Sequence, residues 1–306
     1  PGPDDLGLLS VTGPVLLRQG EPLFPGPLHL QGASEGGGWN PRALLRPGPP
    51  VACDLGPAVR LPELPAEIEG PERAELKEGE GWWLTLPGLE RVLRGELPPS
   101  GALVAGGDLW KEERRIGIER DRSSRTAVDG MLYTTRHVRL APGVGLGVEI
   151  ALAPSDRTWN APSGVLPLGG ESRQAACSPW TQALTITTPR EAITTSGRLL
   201  VIALTPLDLD ADQALGRRPI ADLGDARVVS ACLGRPLRIG GWDSLARRPL
   251  DLQSFLPAGS VLFCELPDPG RLADTLAAGN GLARLGARQR WGYGLVALGT
   301  WTGTPA

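Results

Sequence analysis

Glycine and proline interrupt this chain so often that they limit what it can fold into. Together, 42 glycines and 31 prolines make up almost a quarter of the 306 residues. Glycine in a helix or strand costs backbone entropy and proline removes a backbone donor, so both residues concentrate at turns. This density favours short strands, many turns and irregular connections over helix bundles.

The remaining composition predicts a folded, cytoplasmic protein. Hydrophobic residues make up 41% of the chain, which is enough for buried cores, and 306 residues suffice for two domains. The net charge of −3 gives no global basic field, so any contact with nucleic acid must come from local patches. Four widely spaced cysteines argue against a zinc site or a disulfide framework. The sequence shows neither a bilayer-spanning apolar run nor a signal peptide.

The stretch Gly107–Leu140 is locally basic and has the pattern of a β-hairpin. Two strand-like runs, Arg115–Arg120 and Met131–Leu140, flank the polar segment Arg120–Gly130. Within Lys111–Arg139, eight Lys or Arg residues face five Asp or Glu residues. We therefore expect a hairpin that reaches out to an anionic ligand.

The tip of this hairpin combines guanidinium groups with hydroxyl donors, which suit a phosphodiester backbone. The alternative is an exposed hairpin with incidental charges, partly cancelled by neighbouring acids. From the residues alone, that alternative is the better supported. The candidate RNA-binding residues at the tip are Arg120, Arg122, Ser123, Arg125 and Thr126.

Two glycine-rich segments carry a similar pattern. In the later one, paired glycines would let backbone N–H groups approach a phosphate while flanking arginines supply charge. The alternative, equally supported, is a tight turn before a core strand with its aromatic residues buried. The candidate residues are Arg288, Gln289, Arg290, Gly292, Tyr293 and Gly294, with Gly169, Gly170 and Arg173 as a weaker second set.

The regular elements follow from apolar spacing. Trp82–Leu97 has helical spacing, although Thr85 could cap a shorter helix that begins at Pro87. Gly32–Pro50 is expected to be a loop, and the prolines within Glu21–Leu30 should bar that segment from a central strand. Further strands are expected over Gly143–Leu152, Ala183–Thr188, Leu199–Leu204, Ala226–Cys232 and Pro257–Glu265. In the first of these, alternation places Val144, Leu146, Val148 and Ile150 on one face. We also expect helical turns over Ala211–Leu215 and Arg271–Ala278 and a turn at Leu237–Asp243.

Catalysis has little support in the sequence. His29 and His137 are the only imidazoles, and no paired-carboxylate spacing, metal-ligand motif or nucleophile elbow is present. We expect neither a catalytic residue, a metal nor a cofactor.

Four segments in order resemble a known family. They are Arg114–Leu140, Leu166–Arg173, Gly240–Asp243 with Pro257–Leu266, and Leu285–Trp301. Together they are similar to the RAMP-superfamily subunit that binds the guide-RNA 5′ tag in the type III-B CRISPR effector, the Cmr complex.

The resemblance implies an α+β protein with two ferredoxin-like (RRM-like) RAMP domains, residues 1–153 and 154–306. Each would be a four-stranded antiparallel sheet with helices on one face, and the hairpin at 107–140 would be a protruding thumb. The family normally opens with a strand and a helix before the segment that resembles Gly13–Leu17, and we expect this first βα unit to be missing here, consistent with the absence of an initiator Met.

The resemblance also implies a function. The subunit would be non-catalytic and would cap the crRNA 5′ tag with its Gly-rich loops. Its thumb would lie between guide and target RNA near the tag boundary. Its protein partners would be the large polymerase-like subunit and a backbone RAMP subunit, with no membrane contact.

Three alternatives remain open from the sequence. A RAMP endoribonuclease that processes the guide precursor would need His137 or Tyr133 as its base. A protein-only scaffold would use the hairpin to bind protein. The equivalent subunit of a type III-A complex is the third alternative.

Overall fold

A computed structural model describes residues 6–35, 38–53, 56–153, 160–168, 173–243, 246–272 and 280–302. Strands dominate the described residues. In chain order they are β1 (Leu9–Arg18), β2 (Glu21–Pro25), β3 (Leu30–Glu35), β4 (Gly38–Leu44), β5 (Arg46–Cys53), β6 (Gly56–Glu63), β7 (Lys77–Glu78), β8 (Trp82–Thr85), β9 (Leu103–Ala105), β10 (Trp110–Arg120), β11 (Ala127–Leu140), β12 (Val144–Leu152), β13 (Gly164–Pro167), β14 (Gln174–Cys177), β15 (Arg198–Ala203), β16 (Arg227–Cys232), β17 (Leu237–Asp243), β18 (Arg248–Phe255), β19 (Val261–Glu265), β20 (Leu282–Arg284) and β21 (Leu295–Gly299).

Helices are few and short. The α-helices are α1 (Gly70–Glu75), α2 (Leu86–Leu93), α3 (Arg190–Ser196) and α4 (Ala211–Ala214). Single 3₁₀ turns occur at Ser100–Ala102, Gly106–Asp108, Ala221–Leu223 and Pro269–Leu272. Across the described ranges, no helix has the length and apolarity needed to cross a membrane.

Two five-stranded sheets, all antiparallel, form the body. The first has the strand order β12-β1-β2-β8-β9, and the second has the order β16-β19-β15-β21-β20. The prediction of four strands in each sheet is wrong in number, because each large sheet among the described residues has five strands. Strands β3, β4 and β7 form a smaller sheet, and β5–β6, β10–β11, β13–β14 and β17–β18 are separate hairpins.

A shared core joins the two halves of the chain. Phe24 of β2 and Leu89 of α2 belong to the same buried cluster as Leu200 of β15 and Phe263 of β19. The opposite face of the second sheet buries Leu199 and Val201 beneath α3 and its neighbours. Because β15 is buried on both faces, its sequence is a continuous apolar run.

Strand β2 is central, which corrects the prediction made from its prolines. Pro22 is paired only with Leu17 of β1, and Pro25 only with Trp83 of β8. The neighbouring strands are offset, so Leu23 alone is paired on both sides. Each proline therefore lies opposite one neighbour, where its missing donor disturbs a single ladder.

The predicted helix over Trp82–Leu97 is wrong in extent, whereas its shorter alternative is confirmed to within one residue at its start, without a capping hydrogen bond from the Thr85 side chain. Trp82–Thr85 forms β8, and Thr85 occupies the N-cap position of α2 with extended backbone. Pro87 lies in the first turn of α2, where its missing N–H and its ring are tolerated; a helix that extended backward would place the ring against the carbonyl of Trp83. Arg94 and Gly95 end α2, and Gly95 has a positive φ of 76°.

Several other expectations need correction. Gly32–Pro50 contains three strands rather than a loop, and Leu237–Asp243 is strand β17 rather than a turn. Ala183–Thr188 forms no strand because its backbone bonds elsewhere: Thr187 N donates to Glu90 and Ile186 N to Asn280. Strand β12 has the predicted alternation, but its apolar face is exposed.

The remaining strands and the helical turn α4 are confirmed to within a few residues. The predicted helix Arg271–Ala278 falls mostly outside the described residues.

Candidate nucleic-acid interface

The β-hairpin predicted at Gly107–Leu140 is present as strands β10 and β11. Its two strands pair with each other from Trp110↔Leu140 to Arg120↔Ala127 and form a sheet of their own. With 11 residues in β10 and a rise of about 3.3 Å per residue, the tip stands about 30 Å from the base. The Trp110 ring meets Trp83 edge-on at 5.8 Å, which fixes the base.

A single carboxylate organises the tip. Asp121 accepts hydrogen bonds from the backbone N–H of Ser123 (2.9 Å) and Ser124 (2.7 Å) and from both hydroxyls. These donors, led by the Ser123 hydroxyl, hold the pKa of Asp121 well below its usual range. The turn closes with a hydrogen bond from Arg125 N to Asp121 O (2.9 Å).

The tip leaves two guanidinium groups available to a ligand. Arg120 donates to Arg125 O from Nε (3.2 Å) and Nη2 (2.9 Å), so part of its donor set is occupied. Thr126 shares a hydrogen bond with Ser124. Among the described residues, the exposed side chains of Arg122 and Arg125 have no hydrogen-bond or ion-pair partner. Arg122 and Arg125 are therefore the tip cations most available to a ligand.

The stem below the tip, residues 111–118 and 131–139, carries five Lys or Arg residues against Glu112 and Glu113, and part of this charge is ion-paired. Glu113 is paired with Arg139 and lies 3.4 Å from Arg115. The hydrogen bond from Arg139 lowers the pKa of Glu113 and raises that of Arg139. Arg136 also lies 4.0 Å from Glu112.

One face of the hairpin is apolar and exposed. Ile118 is paired with Leu132, and Ile116 is two residues nearer the base on the same face. Their exposed fractions are 50%, 68% and 72%, respectively. We call these three residues the apolar face. Exposed apolar clusters of this kind mark contact surfaces.

The Arg284–Gly294 loop binds the chain's own strand β1. Arg284 donates from Nη1 to Val11 O (3.0 Å) and Gln289 O (2.7 Å) and from Nη2 to Thr12. Arg290 donates from Nη2 to Leu9 O (2.9 Å). These arginines therefore join the second half of the chain to the first sheet.

The glycines of this loop pack closely against the backbone. A Cβ on Gly292, whose φ is +87°, would lie 2.1 Å from Gly13 O. The N–H of Gly292 donates to Gln289 O (3.1 Å) and that of Gly294 to Pro206 O (2.9 Å). Both donors are thus used within the protein.

The remaining loop side chains differ in access. The Tyr293 ring lies 4.8 Å from that of Phe255 and is half-buried, whereas Trp291 is exposed. Gln289 Nε2 donates to Gly286 O (3.0 Å). Arg288 is half-buried, and among the described residues its guanidinium has no hydrogen-bond or ion-pair partner. Arg288 is the loop cation most available to a ligand.

The predicted residues therefore form two separate sets. Arg120 to Thr126 come together at the far end of the hairpin, and Arg288 to Gly294 come together beside β1. Gly169 and Gly170 lie outside the described residues. Arg173 is exposed at the start of the β13–β14 hairpin's second strand, where its O accepts from Leu168 N (3.0 Å).

A second basic hairpin, β17–β18, was missed in the sequence. It exposes 61% of Trp242 and carries exposed arginines at 238, 247 and 248. Gly240-Gly241 looked like a turn, but the structure places a bulge there, between the pairs Ile239↔Gln253 and Gly241↔Leu250. Apolar alternation on either side of the glycines was the available signal.

Neither histidine is open to solvent. His29 and His137 are both buried, and His137 Nε2 lies 3.1 Å from Thr135 Oγ1. The described residues contain no group of three or more His, Cys, Asp or Glu side chains that could hold a metal ion.

By its fold, the described part of the protein belongs to the class built mainly from antiparallel β-sheets with few helices. The family model described as CRISPR-associated protein (Cas_Cmr3) matches residues 2–301, nearly the whole chain. The chain therefore belongs to this family, which confirms the resemblance seen in the sequence.

Two solved structures are similar to the chain. One is a type III-B Cmr-beta complex bound to cognate target RNA (17% identity, TM-score 0.44, covering 84% of this chain). The other is the same kind of complex bound to target RNA and AMPPnP (18% identity, TM-score 0.44, covering 84% of this chain). The chain spans 65% and 67% of the lengths of the respective matched chains. No curated protein matches it.

Proposed function

We propose that this protein is a non-catalytic guide-RNA-binding subunit of a type III-B CRISPR RNA-targeting complex. The observation that carries the proposal is the hairpin β10–β11, which presents Arg122 and Arg125 at its tip without partners among the described residues. Guanidinium groups bind phosphates through paired donors. Membership of the Cas_Cmr3 family supports the assignment to a Cmr-type complex.

In this proposal, the hairpin acts as a thumb between guide and target RNA near the boundary of the 5′ tag. Its arginines would contact phosphates, and the apolar face would lie against unstacked bases. Apolar side chains inserted between base steps unstack the bases and kink the nucleic acid. Base pairing would supply the sequence specificity, while the protein recognises shape and ends.

The same proposal assigns the crRNA 5′ tag to the Gly-rich segments around Gly169 and Arg288. It also places the large polymerase-like subunit and a backbone RAMP subunit against the protein surface. Two antiparallel sheets support the assignment of each half, residues 1–153 and 154–306, as a ferredoxin-like RAMP domain. Their shared core is compatible with two domains that act as one body.

The central test is a double variant, Arg122→Ala with Arg125→Ala, assayed against single-stranded RNA that carries the repeat-derived tag. Loss of two phosphate contacts should weaken binding and flatten the slope of log affinity against log salt by about 1.4. Arg217→Ala is a matched control because Arg217 is exposed but ion-paired with Asp212. Unchanged affinity with an unchanged salt slope would contradict the proposal.

The loop needs a different probe. Because Arg290 bonds to the backbone of β1, its removal would confound binding with folding. Arg288→Ala removes an unengaged cation instead, and the salt slope should flatten by about 0.7. No change in slope would remove the loop from the interface while leaving the hairpin proposal intact.

The competing functions have direct tests. A processing endoribonuclease would cleave repeat RNA and lose that activity in His137→Ala, although the burial of both imidazoles favours a non-catalytic subunit. A protein-only scaffold would give cross-links from the hairpin tip to protein and none to RNA in the assembled complex. The identity of co-purifying subunits separates a type III-B from a type III-A assembly.

A further inference from the structure

Tyr133 covers a glycine on the hairpin. Tyr133 lies directly opposite Gly117 in the β10–β11 ladder. A Cβ built on Gly117 would come within 2.2 Å of Tyr133 Cζ and 2.6 Å of its Cε2. The end of the phenol ring therefore lies across the Gly117 backbone, in space that any side chain at 117 would occupy. This pair explains why a glycine interrupts a strand whose neighbours are isoleucines.

The ring remains accessible in this position. Tyr133 is 52% exposed even though it lies against the strand. Arg115 and Thr135 form the adjacent pair on the same face, because residues two apart in a strand share a face. An aromatic surface, a guanidinium and a hydroxyl thus lie side by side. We call this surface the aromatic face, and it lies on the opposite side of the hairpin from the apolar face.

We propose that Tyr133, supported by Gly117, is a stacking site for one unpaired RNA base. This inference rests on the proposed function, since it requires RNA at the hairpin. Bases stack on aromatic side chains presented by β-strands, largely without sequence preference. Arg115 is placed to reach the phosphate beside the stacked base. The hairpin would then contact RNA on both faces.

The surrounding charge favours RNA over a protein partner. The face that carries Tyr133 also carries Lys111, Arg115 and Arg139 against two carboxylates, Glu113 and Glu119. A cross-strand aromatic can also serve simply to shield a glycine. The two roles differ in what they need: shielding requires only bulk over Gly117, whereas stacking requires a π-surface.

The test compares variants that separate bulk from aromaticity. Affinity for a fluorescein-labelled oligouridine should fall roughly 5- to 100-fold in Tyr133→Leu, the range for losing one base–aromatic stack. Tyr133→Phe should bind within about twofold of wild type, because the ring is kept. Gly117→Ala should resemble Tyr133→Leu, since its methyl group displaces the ring. Leu61→Ala, an exposed apolar position in β6 outside the hairpin, should bind as wild type does.

A photocross-link locates the contact. With iodouridine in the RNA, cross-linking followed by trypsin should modify the peptide Thr126–Arg136, in which Tyr133 is the single aromatic residue. Wild-type affinity in Tyr133→Leu, or a cross-link confined to other peptides, would overturn the inference. So would a cross-link from Tyr133 to another protein subunit in the assembled complex.

The outcomes distinguish this inference from the proposed function. If the double variant Arg122→Ala with Arg125→Ala weakens RNA binding and Tyr133→Leu does not, the proposed function is supported and the stacking site is refuted. If the wild-type protein binds no RNA, both fall. The comparison of Tyr133→Leu with Tyr133→Phe decides the question even if Gly117→Ala does not fold.

Discussion

Acidification should destabilise this protein through one buried imidazole. His29 is 2% exposed, and burial lowers its pKa from 6.5 to about 3. Its ring meets Phe263 edge-on at 5.8 Å, and its Nδ1 has no hydrogen-bond partner in the part of the chain that the structure describes. The charged side chain lining the adjacent small cavity is Arg46, a cation, which cannot stabilise a protonated imidazole. His29 is therefore held neutral in the folded protein.

The sign and size of the effect follow from linkage. Between the folded and unfolded pKa values, the unfolded chain binds the proton and the folded chain does not, so stability falls as pH falls. With an unfolded pKa of 6.5, lowering the pH from about 7.5 to about 5.5 should cost about 1.4 kcal/mol from this residue alone. Asp121 and Glu113 also have lowered pKa values, but their contributions are lost only as pH falls below their ordinary values of 3.8 and 4.5.

The assay is urea unfolding of the wild type and of His29→Leu at the two pH values. The free energy of unfolding should depend less on pH in the variant, by about 1.4 kcal/mol between the two conditions. His137→Gln is the matched control and should retain the contribution of His29. Equal pH dependence in wild type and His29→Leu would refute the reasoning. So would a histidine NMR titration in which the His29 ring protons shift with a midpoint near 6.5 in the folded protein.

Three further predictions concern separate features. In urea unfolding, Gly292→Ala should destabilise the protein by more than about 2 kcal/mol, because its Cβ would strike Gly13 O. Gly101→Ala is the control: it has open space around it and should change stability by less than about 0.5 kcal/mol. Similar effects of the two substitutions would contradict this packing. Asp121→Ala should speed tryptic cleavage after Arg122 and Arg125 without moving the unfolding midpoint, and unchanged cleavage would mean that the carboxylate does not order the tip. Iodoacetamide should label exposed Cys53 quickly and Cys264 slowly, since burial raises the pKa of Cys264 to about 12. Mass spectrometry measures the two labelling rates in the native protein, and equal rates would contradict the burial of Cys264.

Local patterns predicted those parts of the fold whose environment is set by the local chain. The hairpin was visible because β-branched runs flank a segment too polar to bury. Strand β15 was visible because burial on both faces leaves a continuous apolar run. Strand β2 was not, because the offset that accommodates Pro22 and Pro25 is a property of its neighbours. The exposed face of β12 was not either, because alternation shows which residues share a face and not what covers it.

In the candidate interface, too, some features could be predicted from the sequence and others depend on the folded structure. The tip was predictable as a charged turn, but the role of Asp121 as the acceptor that organises it depends on the folded turn. Hairpin β17–β18 was missed because Gly240-Gly241 matches a turn as well as a bulge. The relation of Gly117 to Tyr133 requires the register of the two strands, which depends on the bulge between Ile118 and Arg120.

The loop Arg284–Gly294 shows why a glycine and arginine pattern alone does not identify its partner. Glycine permits close approach to an acceptor, and a guanidinium seeks one, whether that acceptor is a phosphate or a backbone carbonyl. Here Gly292 lies against Gly13 O, and Arg284 binds Val11 O. The pattern therefore indicates groups that need a hydrogen-bond acceptor, and backbone carbonyls of the same chain supply some of these acceptors. Arg288, whose guanidinium lacks a partner among the described residues, is the cation in this loop most available to a ligand.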